Sequence, residues 1–515
     1  MKFATVAAAA LLPLAYGFTK DDYDSGRVMA KMMEAKEVRV LLKQSNKIFT
    51  DLFQSAWAKH KAAGEYDNKK WNGFDKKRPN KDVIKCKNGK AEAVKGDADQ
   101  TYKCKDIDMY DFKTHEELGS VDGEGSGSWG WTHKGRDFIA IGQTDGAAFA
   151  EVTKQGKLVY LGRLPAQASP VIWREIKVSG DYLVVGSEGV NHGVQIFDMK
   201  KLLKIDPKKP TTFNTSTDLT GLFTDYLEVG RSHNVVVNFE NGNAFAVGAQ
   251  PRNSTCASGI IFIDMKNPAK PTSPGCASAD GYVHDAQCVI YRGPHKKYWG
   301  KEICYGYNED TLTIYDVTNK KGTNAGKVIS RTPYKGASYT HQGWVLDLNW
   351  QTHLIMDDEL DEGEIAPART DPESPAIDGF PVTYIFDISN LEKPVNTGYY
   401  KSSVRSVDHN QFVYDGLAYQ SNYQAGLRVL DVSGIPRDPT GGNVKEIAYF
   451  DVYPGDDDLP GGGQAIWDFG TWSHYTFPSG WIVVNTIDRG AFVVKLSKFK
   501  GRGHGKRWVK PRTIR

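Results

Sequence analysis

The chain has 515 residues, a formal net charge of +3 and 25% charged residues. That near-neutral balance gives no molecule-wide electrostatic case for nucleic acid as a partner. Its 40% apolar and 11% aromatic content is ordinary for a globular protein and excludes a disordered chain, and 52 glycines point to many tight turns.

Residues 1–17, MKFATVAAAALLPLAYG, place Lys2 before an apolar run that ends in small-x-small Ala15-Tyr16-Gly17. This predicts a secretory signal peptide. The run is shorter than the roughly 20 residues that cross a bilayer. No later segment reads as a membrane span, and the basic C-terminus carries no GPI signal. A secreted monomer, extracellular or associated with the cell wall, is expected. Residues 18–80 carry Met29, Met32, Met33, Leu41, Ile48 and Leu52 at helical spacing and predict a small helical segment. Residues 81–104 read as a linker closed by a disulfide.

From there one phrase recurs: AAFAEVT, GVQIFDM, GIIFIDM, TLTIYDV, VTYIFDI, GLRVLDV and GAFVVKL. Each is a run of β-branched or aromatic residues, most starting at or just after Gly. Six end in an acidic turn residue: Glu151, Asp198, Asp264, Asp316, Asp387 and Asp431, with Lys495 in the seventh. Partner strands such as DYLVVGSE and NAFAVGAQ precede the phrase, an inner strand precedes those, and an outer strand follows. Four strands per unit over seven irregular units predict an all-β fold, a seven-bladed β-propeller spanning 105–500. The last unit lacks an outer strand, so residues 105–118 are expected to close the ring by completing that blade. Residues 501–515 form a basic tail.

The six cysteines, Cys86, Cys104, Cys256, Cys276, Cys288 and Cys304, fall into three sequence-local neighbours and lack a CxxC zinc spacing, so structural disulfides are expected. Fifteen pairings are formally open to six cysteines, and the sequence does not choose among them. Asn214 and Asn253 stand in N-x-[ST] sequons and are expected glycosylation sites.

In a propeller the start of the first strand and the end of the second share one face near the axis. Those positions hold Trp129, Trp131, Trp173, His233, His284, Asp285, Gln287, His341, Gln342, His409, Asn410, Trp472 and His474, facing Asp145, Glu188, Gln250, Asn308, Glu309, Asp310, Asp357, Asp358, Glu359, Asn422 and Asp488, with Trp344 and Trp467 also expected near the mouth. Histidine with carboxylate is a ligand set for a divalent ion, here Zn, Mn or Ca. The metal candidates are His233, His284, Asp285, His341, Asp357, Asp358, His409 and His474. The catalytic candidates, as general acid or base, are His284, His341, His409 and His474. The ligand-binding candidates are Trp129, Trp131, Trp173, Gln287, Gln342, Asn410 and Trp472. A polar channel lining stiffened by His–carboxylate hydrogen bonds would need no ligand at all. The run DDELDEGE (357–364) lacks EF-hand spacing, and no GxSxG, P-loop, HExxH or dinucleotide fingerprint is present.

The segments SWGW, GRSHNVVVN, GYVHDAQCVIY, YTHQGW, DDELDE, DHNQFVYDGLAYQSNYQAGLRVLDVS and PSGWIVVNTIDRGAFVVK together resemble the choice-of-anchor B family, which is related to the LVIVD-repeat proteins. The resemblance runs over residues 84–497. It implies a secreted or surface propeller and supplies no activity. The variable C-terminal anchor of that family is not seen here. The expected function is a secreted module that binds a glycan, peptide or protein ligand at the channel mouth. The alternative is a metal-dependent hydrolase or lyase acting on an extracellular polysaccharide or other polymer.

Overall fold

The computed structural model describes residues 57–77, 83–363 and 371–497; the signal peptide, most of the helical segment and the basic tail fall outside these residues. Seven sheets follow one another in chain order as the blades of a propeller, antiparallel except where the two-residue strand Thr211–Thr212 adds parallel to the outer strand of blade 1. Their inner strands are Gly125–His133, Arg174–Ser179, Asn234–Val237, Asp285–Ile290, Thr340–Val345, Gln411–Tyr414 and Thr471–Thr476.

Most inner and middle strands are buried on both faces, whereas outer strands such as Lys327–Thr332 are largely half-exposed. The cause is face-to-face packing of blades. Phe245 and Phe262 of blade 3 meet Cys304 and Tyr315 of blade 4, and Tyr305 and Ile314 of blade 4 meet Leu354 and Phe386 of blade 5. A strand buried on both sides must be continuously apolar, which is why the repeated phrase carries so few polar residues.

The ends of the phrase have separate causes. Asp198, Asp264, Asp316, Asp387 and Asp431 each accept a hydrogen bond from the backbone N–H two residues on, at 2.7 to 3.1 Å. These are Asx turns that lead the chain out of the third strand. Glu151 is too long for that turn and instead binds Arg136 through both oxygens. At the other end, a β-carbon on Gly490 would collide with the carbonyl oxygen of Lys113 on the neighbouring strand. Glycine is required by that close approach.

Strand Ile107–Thr114 pairs antiparallel with Gly490–Leu496 and is the outer strand of blade 7. The start of the ring and its end therefore share one sheet. The preceding segment does more than link. Strands Lys90–Glu92 and Thr101–Lys105 add to the outer edge of blade 6 through Cys104 opposite Phe450, making that sheet six-stranded. Disulfides join Cys86 to Cys104, Cys256 to Cys276 and Cys288 to Cys304. Of the helical segment, residues 57–62 form a helical turn, followed by short 3-10 turns at Asn68–Trp71 and Phe74–Lys76.

Candidate metal centre at the channel mouth

The inner strands of blades 3 to 6 each start within two residues of a histidine, and the four histidines meet at one mouth. His233, His284, His341 and His409 form a continuous arc, with successive ring centroids 4.0, 4.5 and 4.5 Å apart. Trp472 of blade 7 continues it, 5.1 Å from His409. The Trp472 indole donates to Glu175 Oε1 of blade 2 at 2.7 Å, and that bond closes the circle past blade 1. Blade 1 contributes Gly127, where a β-carbon would strike the Glu175 carboxylate.

Each histidine of the arc is anchored through Nδ1. His233 donates to Glu188 Oε1 at 2.6 Å, His284 to the His341 carbonyl at 3.2 Å, His341 to Asp357 Oδ1 at 3.0 Å and His409 to the Trp472 carbonyl at 2.6 Å. In His284, His341 and His409, which burial keeps neutral, these acceptors fix the proton on Nδ1 and leave Nε2 with a lone pair. A carboxylate or carbonyl behind a histidine is the usual support of a metal-ligating imidazole.

Glu359 arrives from the turn after the second strand of blade 5. Its oxygens lie 3.7 Å from His341 Nε2 and 3.7 Å from His409 Nε2, too far for hydrogen bonds. Two atoms bound to one tetrahedral ion at ~2.1 Å lie about 3.4 Å apart. His284, His341 and Glu359 offer donor atoms that all fall within 4.8 Å of one another, so the group could hold a metal ion. Tyr423 donates to Glu359 Oε1 at 2.5 Å, and the Trp467 indole donates to the Glu359 carbonyl at 2.9 Å, which fixes the turn.

Burial governs the charge states. It drives His284 and His341 well below the usual histidine range and His409 to about 3. Burial also lifts Glu359 to about 7, against the Tyr423 hydrogen bond. His233 moves the other way. Burial lowers it, but the Glu188 hydrogen bond and charge raise it further, and Glu188 is held low by His233 and Arg231 despite its own burial.

The remaining sequence candidates do other jobs. Gln287 Oε1 accepts from Val345 N of blade 5, Gln342 Oε1 from Gln411 N of blade 6, and Asn410 Nδ2 donates to the Trp472 carbonyl of blade 7. These three tie neighbouring blades together. Asp358 is consumed by Tyr334 and the backbone N–H groups of Ser338, Tyr339 and Leu360. Asp357 holds His341 and also accepts from Gln342 N and Gln411 Nε2. Asp285 caps its own strand through Ala286 N, and burial lifts it to about 7. His474 points away from the arc, bonded to Ser421 Oγ and packed on Phe412.

Blade 1 starts at Gly125, so its tryptophans sit deeper than the register of the other blades predicts. Trp129 touches Phe412 of blade 6 and Tyr475 of blade 7 and stacks on Phe239 from blade 3, while Trp344 abuts Phe412. This aromatic layer crosses the channel below the histidines and makes the mouth a closed cup. Trp131 lies beyond it, donating to Asp181.

One wall of the cup joins expected mouth tryptophans to the N-terminal segment, which the repeat pattern does not place. Tyr66 of the N-terminal segment is buried with Ile172, Val407, Tyr423, Phe469, Trp472 and Ile487, and Trp57, Trp173 and Trp467 pack against this cluster half-buried. Tyr66 donates to the Asp468 carbonyl at 3.1 Å, and Lys61 reaches Glu124 at 3.2 Å. Tyr66 comes from an appendage that strand periodicity does not index, whereas the sequence places Glu359, at a second-strand end, and Trp467 near the mouth. Glu359 is expected at the mouth with Asp357 and Asp358, but the metal candidates name those two aspartates, which the structure uses for other bonds, and not Glu359.

No helix among the described residues is long and apolar enough to cross a membrane. No protein-family model and no curated protein sequence matches the chain. Among solved structures, it is similar to the β-propeller domain of Cps50 (Swd1) from Myceliophteria thermophila, at 11% identity and a TM-score of 0.42, over 73% of this chain and 96% of that one. It is also similar to the computationally designed Ika8 protein, at 8% identity and a TM-score of 0.39, over 73% and 84%.

Proposed function

We propose that this protein is a secreted, choice-of-anchor B-like propeller that binds an extracellular ligand in the cup, through a divalent transition metal held by His284, His341 and Glu359. The observation that carries this reading is the anchoring of His284 and His341 through Nδ1, which leaves their Nε2 lone pairs free beside the Glu359 carboxylate. Two imidazoles and one carboxylate suit Zn or Mn. They suit Ca poorly, because calcium takes roughly six to eight oxygen ligands. The half-buried indoles of Trp173 and Trp467, backed by Tyr66, would pack against the ligand while the metal takes one of its oxygens. The three disulfides fit an oxidising compartment.

The test is elemental analysis of the purified protein after dialysis against Zn and Mn. The expected result is one metal per chain, lost in His341→Ala and Glu359→Ala with the fold retained by circular dichroism. Wild-type protein without metal, or variants that keep it, would sink the reading. Turnover of a polymer substrate that follows metal content would convert the binding module into the hydrolase or lyase.

A further inference from the structure

We propose that residues 57–68 are a positioning strap: docked across the loops that enter blades 7 and 1, they fix the turn that carries Glu359 and so set the affinity of the metal centre. The proposal rests on the metal reading of the cup and adds a regulator to it, built from chain that belongs to no blade.

Glu359 is held at two points, its carboxylate by the Tyr423 hydroxyl and its carbonyl by the Trp467 indole. The turn lies so close to that indole that a β-carbon on Gly363 would stand 3.2 Å from the ring. Both holds run into one buried cluster with Phe469 and Tyr66. A β-carbon on Gly470 would collide with the Tyr423 carbonyl, and Thr471 N donates to that same carbonyl at 2.7 Å, so loop 467–470 and Tyr423 move as one. The strap seals this block from outside. The Tyr66 ring lies 5.4 Å from the Phe469 ring, its hydroxyl donates to the Asp468 carbonyl at 3.1 Å, and the His60 ring stands edge-on to Phe469 at 4.9 Å. Tyr66 thus reaches the metal turn in two steps, through the loop at 468–469 and then Trp467.

The strap is attached through side chains. Between positions 61 and 70 only Tyr66 and Asn68 are buried. Asn68 donates to the Gly123 carbonyl at 2.7 Å, and Lys61 meets Glu124 at 3.2 Å. Among the described residues no backbone–backbone hydrogen bond joins residues 57–77 to the blades. An element held in this way opens locally while the ring of blades stays intact. Opening uncovers Phe469 and the Asp468 carbonyl and removes the backing of half-buried Trp467. The coupling is reciprocal, so an ion that holds Glu359 in place must also tighten the strap.

The experiment is hydrogen–deuterium exchange of the full chain, metal-free and with zinc, joined to zinc affinity by chelator competition. The variants are Tyr66→Ala, Tyr66→Phe and, as a control, Phe74→Ala. Phe74 is buried against Phe112 at the seam, so its loss lowers stability without uncovering Phe469. The expected result in Tyr66→Ala is faster exchange at residues 360–363 without metal and zinc binding weakened by about fivefold, less than the ~10-fold or more for loss of a direct support. Tyr66→Phe keeps the ring, loses the bond to Asp468 and shows the same changes at smaller size. Phe74→Ala shows neither. In the wild type, zinc slows exchange over residues 57–68. Unchanged exchange at 360–363 in both Tyr66 variants overturns the proposal, as does unchanged zinc affinity in them when the wild type binds zinc. A wild type that binds no zinc sinks the metal reading and the affinity claim together, and faster exchange at 360–363 in Tyr66→Ala would then leave the strap as a brace of the turn alone.

Discussion

Asp357 and His341 are sixteen positions apart in sequence and 3.0 Å apart in space, because the hairpin of blade 5 returns the second strand beside the first. In the proposed centre Asp357 is a positioning residue, holding the proton on Nδ1 and the ring in place. Asp357→Asn should weaken zinc binding by about 10- to 100-fold, the usual effect of removing such support, and leave the fold intact; competition with a chromophoric chelator measures it. A second residue-scale effect concerns protons. Burial holds His115 at about 4, His192 at about 3 and His474 at about 3. Below pH 6.5 the unfolded chain takes up protons that the folded chain refuses, so each of these groups withdraws about 1.4 kcal/mol per pH unit as pH falls, until its folded value is reached. Buried acids act in the opposite sense. Asp451, raised by burial to about 8, and Asp358, raised to about 6, withdraw stability as pH rises from about 4 to those values. The net curve mixes both, so the clean observable is a difference. Urea denaturation of His474→Gln between pH 6.5 and 5 should show a shallower fall than wild type, by about one histidine's slope. Equal slopes would mean that His474 is protonated when folded.

At the scale of elements, most of the architecture was legible in the sequence, because each feature of the repeated phrase answers a local requirement. The apolar run is a strand covered on both faces, the glycine is a close approach, and the Asp is an Asx turn. The candidate site was half legible. His233, His284, His341 and His409 stand at repeat positions and could be counted. Glu359, Trp173, Trp467 and Trp472 could also be placed at the mouth, but the metal-ligand role of Glu359 and the contribution of Tyr66 depend on the path of a turn and an appendage, and Trp129 and Trp131 fell out of register because blade 1 begins with Gly125. The two extra strands on blade 6 were missed for a related reason: whether an outer edge recruits more strands depends on what the chain lays beside it, and not on the edge's own pattern. The turn reading can be tested directly. Asp387→Ala removes the bond to Ser389 N at 2.7 Å without touching the core, and should cost about 1 kcal/mol. The same change at Glu151 should cost less, since it loses an exposed ion pair with Arg136.

For the whole molecule the decisive element is the strand Ile107–Thr114, which precedes blade 1 and completes blade 7. It converts a row of seven sheets into a ring, so the last blade to be synthesised cannot finish without the first strand. Such pairing spans almost the entire propeller and carries a large loop-closure cost, which predicts slow folding. Phe112 is the centre of the closure. It is buried, 4.5 Å from the Phe492 ring on the partner strand and 5.8 Å from the Phe74 ring of the N-terminal segment. Phe112→Ala should therefore destabilise the protein by about 3 to 5 kcal/mol through the lost burial and the cavity left behind. Because the ring has no free edge from which one blade can peel, the loss should appear as a lower denaturant midpoint with an unchanged slope. A biphasic transition, with an early phase confined to Trp71 and Trp481 fluorescence beside the seam, would show instead that the closing strand opens on its own and that the seven blades are stable without it.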